Sequence, residues 1–217
     1  MSSRLPKNQG QTTLPPMGNA ENVGLPARGR AVCPVFPQPA GFRVFVVAVI
    51  LLLPAAALVW LVRDMPYFGL PYDDGMYFSS AKALAENGTY RLPYLPVPTP
   101  DTNHPPLYSA YLSLVWLLDP VFPRNLSVAI WFAWLPLPLL VWVSSAFWRE
   151  HAFSTTERLV LLAAVAVNFA VLLASVTLMS DLLFTVLLLA GVLALRKTGV
   201  MGAAMAGLCL GAAALTR

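Results

Sequence analysis

Charge is scarce in this chain: 14 basic and 10 acidic residues make up 11% of 217 positions, against 58% hydrophobic residues. With a mean hydropathy of +0.67, that balance excludes an ordinary water-soluble domain and defines an integral membrane protein. Cysteine is almost absent. Cys33 lies in a Pro-rich tail and Cys209 in an apolar run, which excludes a disulfide framework and a cysteine metal site. P-loop, zinc-ligand and haem motifs are also missing. The net charge of +4 would suit a nucleic-acid partner if it were clustered on a polar domain. The basic residues instead occupy the N-terminal tail and short connectors between apolar runs, a pattern of membrane topology with no nucleic acid implied.

Residues 1–43 are rich in Pro, Gly, Asn and Gln, with Arg4, Lys7, Arg28, Arg30 and Arg43 set against Glu21. Such a segment buries too little apolar surface to offset its ordering entropy and reads as a disordered cytoplasmic tail. A cleaved signal peptide fits poorly, because the basic region is long and the apolar run exceeds a signal core. Residues 44–217 read as a transmembrane module with spans at about 44–62, 125–148, 159–179, 182–195 and 200–216. The fold class expected is therefore an all-α polytopic membrane protein. Arg149 and Arg158 flank one connector and Arg196 and Lys197 lie in another, so both connectors belong inside. This places residues 63–124 in a large outer loop and Ser180-Asp181 in an outer turn. Within the loop, the apolar segment 106–118 is short for a span and reads as re-entrant or interfacial.

The outer loop holds most of the chemistry-bearing sequence. Asp73 and Asp74 sit side by side just past the first apolar run, where a charge is costly unless solvated or used. Tyr77, Phe78, Ala81, Leu84 and Ala85 recur at helical spacing opposite Lys82 and Glu86, and Asn87-Gly88 supplies a stop, predicting an amphipathic surface helix. The Pro-rich run 90–100 predicts extended chain. Trp60, Tyr67, Tyr108, Trp116 and Trp148 suit an interfacial belt. Asn168 suits a hydrogen bond to a neighbouring helix, and Gly202, Gly207 and Gly211 suit close helix packing.

Asp73-Asp74-Gly75-Met76-Tyr77, followed by His104-Pro105-Pro106-Leu107, resembles the first outer loop of the GT-C glycosyltransferases. The most similar groups are the protein mannosyltransferases of glycosyltransferase family 39 and the bacterial lipid A aminoarabinose transferases. Asp73 matches the leading aspartate, Asp74 the second acid, Tyr77 the aromatic, and His104 a position often held by Lys. Met179-Ser180-Asp181-Leu182-Leu183-Phe184 is similar to the second acidic motif. Gly207 through Thr216-Arg217 is similar to the glycine-rich helix that ends in Thr and a basic residue.

The resemblance implies a GT-C-like N-terminal module that moves a sugar from a polyprenyl-phosphate donor to a lipid, glycan or protein acceptor. It places the reaction on the extracytoplasmic side, in the plasma membrane, beside membrane lipids. No cofactor is obligatory, although two carboxylates facing a phosphate suit a divalent cation. Further spans and acceptor-binding elements are expected beyond Arg217, so that this sequence represents an N-terminal portion, active alone or not. A nonenzymatic membrane protein or a catalytically incomplete part of a transferase is the competing expectation.

Such a transfer needs a carboxylate to take the acceptor proton and cations to stabilise the departing phosphate. Asp73, Asp74 and Asp181 are the candidate catalytic carboxylates, with Asp73 as the base. Helix capping is the competing role for all three. His104, Arg217, Lys82 and Arg91 are the candidates for the donor phosphate. For His104 the alternative is a solvated loop residue that is mostly neutral; for Arg217 it is an interfacial anchor; for Lys82 and Arg91 it is contact with lipid headgroups.

Overall fold

The computed structural model describes residues 40–65, 67–97 and 99–217, so most of the expected tail lies outside the described residues. Its C-terminal edge is helical, because α1 runs Ala40–Leu61 and already includes Arg43. Within α1, Phe42–Leu61 is a 20-residue apolar stretch, about 30 Å long and matched to the hydrocarbon core. Pro54 lies inside it. Phe45, Ile50, Leu53 and Leu61 point outward, whereas Ala55 and Val59 are fully buried. The helix therefore offers one narrow face to the protein and the rest to lipid.

Two short helices, α4 (Leu126–Trp134) and α5 (Pro136–Glu150), follow one another through Leu135. Pro136 has no N–H to donate, which interrupts the ladder without ending the rod. Leu126–Glu150 is the second stretch long and apolar enough to cross a bilayer, at 25 residues. The continuous helix expected over 159–179 is instead α6 (Thr155–Ala166) and α7 (Phe169–Val176), bent by 52°. Asn168 explains the break: its Oδ1 accepts from the N–H groups of Ala170 and Val171, capping α7 rather than bonding to another helix. Counted as one span, this bent pair is the third. Upstream, Ser154 and Glu157 form a reciprocal capping box at the start of α6. Ser154→Ala is expected to lower stability by about 1 kcal/mol, read as a drop in the thermal unfolding midpoint in detergent.

Helices α8 (Asp181–Leu195) and α9 (Val200–Ala214) have 15 residues each, about 22 Å. They are apolar and lie over the runs read as the last two spans, 182–195 and 200–216, but are shorter than the roughly 30 Å hydrocarbon core. Their close approach is set by Gly191, where an added Cβ would lie 2.7 Å from the Leu210 side chain. Gly207 and Gly211, expected to mediate packing, face open space. Gly202 is crowded by Lys197, whose carbonyl oxygen lies 2.2 Å and whose Cβ lies 2.9 Å from an added Cβ.

Between the first two spans, α2 (Asp73–Asn87) packs on α3 (Pro106–Leu118), and a two-residue antiparallel ribbon pairs β1 (Arg91–Leu92) with β2 (Thr99–Pro100). The Pro-rich run thus forms strand at 91–92 and 99–100 alone among its described residues, with turn and bend at 93–97 where the sequence predicts extended chain. Phe78, Ala81, Tyr108, Leu112, Val115, Trp116 and Ile130 form one buried cluster. This segment therefore shares its core with α4, and with α1 and α7 through Val59 and Val176. Trp116 and Tyr108 are 6% and 1% exposed, which places them in that core instead of an interfacial belt. The Trp116 indole donates to the Phe78 carbonyl at 3.1 Å, satisfying its one polar atom inside. Tyr67 is likewise bonded to the Val176 carbonyl. Trp60, by contrast, is 59% exposed and carries the Arg63 guanidinium 4.7 Å above its ring. A second cluster joins Ala55, Leu137, Leu140, Leu162, Leu182 and Val186 from α1, α5, α6 and α8.

Candidate functional site

The acidic pair opens α2 but does not cap it. Tyr72, with φ of 68°, is the residue before the helix and makes no side-chain cap. Asp73 and Asp74 occupy the first turn, where negative charge complements the helix dipole. Their environments then diverge. Asp74 is fully buried, and its two oxygens accept from the N–H groups of Gly69 at 3.0 Å and Gly75 at 2.6 Å. It is used to fold the Tyr67–Tyr72 turn against α2 and has no exposed surface. Asp73 keeps 45% of its side chain exposed, with Oδ1 3.5 Å from His104 Nε2.

His104 is held between two acids. Its other ring nitrogen, Nδ1, lies 3.2 Å from both oxygens of Asp101. The Asp101 side chain is wholly buried and also accepts from the N–H groups of Asn103 at 3.1 Å and His104 at 3.2 Å, and from the Ser80 hydroxyl at 3.2 Å. Tyr90 lies 3.4 Å from Asp101 Oδ2 and 2.9 Å from the His104 carbonyl. These bonds set the imidazole plane. A doubly protonated ring donates to both Asp101 and Asp73, whereas a neutral ring serves only one.

Tyr77 links this group to the second acidic motif. Its ring meets that of His104 edge-on at 5.0 Å, and its hydroxyl lies 3.3 Å from Ser180 Oγ. The next residue, Asp181, begins α8 without capping it, since Ser180 precedes the helix and makes no cap bond. Asp181 is ion-paired with Arg217. A backbone bond of 2.9 Å from Leu107 N–H to the Leu215 carbonyl fastens the start of α3 to the end of α9. All three sequence motifs therefore meet around Tyr77, where Asp73, Asp181 and Arg217 all act on its phenol. Burial, the largest cause, raises the Tyr77 pKa; the Ser180 hydrogen bond opposes this, Asp73 and Asp181 add to it, and Arg217 opposes it.

Lys82 and Arg91 are not brought into the group. Lys82 stands 3.8 Å from Glu86 on the same helix and over the Trp116 ring. It also lines a cavity of about 340 Å³ with Gly75, Phe78, Tyr94 and Phe122. Arg91 is exposed on β1. Among the described residues, no group of three or more His, Cys, Asp or Glu side chains is arranged to hold a metal ion.

Asp101 is the residue that sequence reasoning missed. Its signal was the turn Asp101-Thr102-Asn103-His104 after a Pro-rich run, in which an Asp commonly bonds the N–H two residues on. Ser180 and Tyr90 were missed too, being a hydroxyl and a phenol without a motif of their own. Burial pushes the Tyr90 phenol from 10.0 up to about 12, with the Asp101 charge adding to it. The folded state thus holds this proton more tightly than the unfolded chain. The associated stability is complete below pH 10 and declines as pH rises through about 12. Burial pushes Tyr67 and Tyr111 up to about 12 as well, so an alkaline absorbance titration should show a late tyrosinate phase whose amplitude falls by one tyrosine in Tyr90→Phe.

Comparison with protein-family models, curated proteins and solved structures gave no match for this chain. The fold and site define a mostly α-helical, membrane-associated protein with a packed segment between its two long apolar helices, in which Asp73 and Asp101 flank His104 and Asp181 pairs with Arg217.

Proposed function

We propose that this chain is a polytopic membrane glycosyltransferase of the GT-C kind, working on a polyprenyl-phosphate sugar at the extracytoplasmic face. One observation carries the reading: a half-exposed carboxylate, Asp73, oriented by His104, is joined through Tyr77 and Ser180 to the Asp181–Arg217 pair. Asp73 takes the proton of an acceptor hydroxyl or amine. The new bond forms at the anomeric carbon as its bond to the phosphate oxygen breaks, inverting that centre. The electron pair leaves with the lipid phosphate, whose charge is met by Arg217 and by an imidazole N–H of His104. Asp181 holds Arg217 in place until the phosphate arrives.

A second reading, a membrane protein without catalysis or a catalytically incomplete part of such an enzyme, is favoured by a different observation. Asp181 is already ion-paired with Arg217, Asp73 lies beside His104, and Asp74 is buried on backbone N–H groups, so each carboxylate already has a partner within the protein. The two readings separate when the full chain is reconstituted in vesicles with a polyprenyl-phosphate sugar and an acceptor amine or alcohol. The enzyme releases polyprenyl phosphate; a noncatalytic chain binds the donor without releasing it, or does not bind it at all.

A further inference from the structure

A large cavity lies away from the acidic group, between α1 and helices α5 and α6. It measures about 820 Å³ and is lined by Val44, Phe45, Ala48, Leu52, Leu53 and Ala56 of α1 on one wall. Pro138, Val141, Trp142 and Ala146 of α5 and Leu162 of α6 form the other. Along α1 the apolar wall runs from Val44 to Ala56, about 18 Å, close to the roughly 15 Å of hydrocarbon in one leaflet. Phe45, Leu53 and Trp142 are 63%, 58% and 70% exposed, so the cavity opens sideways.

Its polar residues, Ser145, Arg149 and Arg158, come from the end of α5 and the start of α6. The Arg158 guanidinium reaches Ser145 Oγ at 2.8 Å, while its buried Nε–H has no hydrogen-bond partner. Neither arginine is paired with a carboxylate among the described residues. Glu157, adjacent in sequence, is engaged by the N–H and hydroxyl of Ser154 at 2.8 and 2.7 Å. Two guanidinium groups at the foot of a leaflet-deep apolar groove complement a phosphate carrying acyl chains. Positive charge in this connector also belongs to the inner leaflet, where anionic lipid is attracted.

We infer that the groove between α1, α5 and α6 is a binding site for an anionic phospholipid, its phosphate on Arg149 and Arg158 and an acyl chain along α1. The site is independent of the Asp73 group and stands whether or not that group is catalytic.

The test places a photo-crosslinking residue at Phe45 in the full chain, reconstituted in vesicles holding equal parts of phosphatidylglycerol and phosphatidylcholine. Phosphatidylglycerol should dominate the lipid adducts. This preference should fall roughly tenfold when Arg149→Gln and Arg158→Gln are combined, and survive Arg149→Lys with Arg158→Lys. Equal labelling of the two lipids by the unmodified site overturns the inference. So does a preference that the glutamine variant retains while its circular dichroism is unchanged. Crosslinking to residues 1–38, to a second copy, or to added polyprenyl phosphate in place of phospholipid would assign the groove to that occupant and overturn it equally. Inorganic phosphate should not displace the phospholipid, because it cannot fill the apolar wall.

Discussion

Asp101→Ala is expected to destabilise the segment between the two long apolar helices by about 1–3 kcal/mol or more, the cost of leaving buried hydrogen-bond donors without their acceptor. The carboxylate has no exposed side-chain surface, and its loss strands the Asn103 and His104 N–H groups, the Ser80 hydroxyl and His104 Nδ1 together. Each stranded donor is costly once shielded from water. Asp101→Asn keeps the shape and part of the acceptor capacity, so a smaller loss is expected from it. Denaturant unfolding in detergent, followed by tryptophan fluorescence, reads this directly because Trp116 reports on the loop core. An alanine variant as stable as the parent would show that Asp101 does not organise the site.

The second large effect concerns rate. Asp73→Asn is expected to reduce turnover about 10²–10⁴-fold, the range supplied by a positioned general base, with little change in donor KM. The substitution removes the proton acceptor while keeping size and helix position, and Asp73 is exposed enough that folding should tolerate it. Asp74→Asn should behave differently. Asp74 bonds the Gly69 and Gly75 backbone, so its replacement acts through stability and not through the chemical step.

Much of the architecture follows from patterns that a linear reading captures. The apolar runs at 44–62 and 125–148 are helical because their length and composition suit lipid, and α2 appears where the periodicity of Tyr77, Phe78 and Ala81 places it. The break at Asn168 was not legible, because a single polar residue in an apolar run bonds equally well to its own backbone or to a neighbour. The burial of Trp116 and Tyr108 was hidden for a related reason: an amphipathic aromatic suits both a bilayer interface and a core with one carbonyl in reach. In the site, Asp73, His104, Asp181 and Arg217 were marked by charge in an otherwise apolar chain. Asp101 was not, since its role depends on the turn that carries it back under His104. Lys82 and Arg91 show the converse, being charges of the right sign in the right loop that the fold directs elsewhere.

The most direct test follows donor binding and release of polyprenyl phosphate on the same vesicles, with the full chain and with Asp73→Asn. The account predicts that both chains bind the donor and that only the parent releases polyprenyl phosphate at an appreciable rate. Release at the same rate by both chains would contradict the role of Asp73, and binding without release by the parent would contradict catalysis itself.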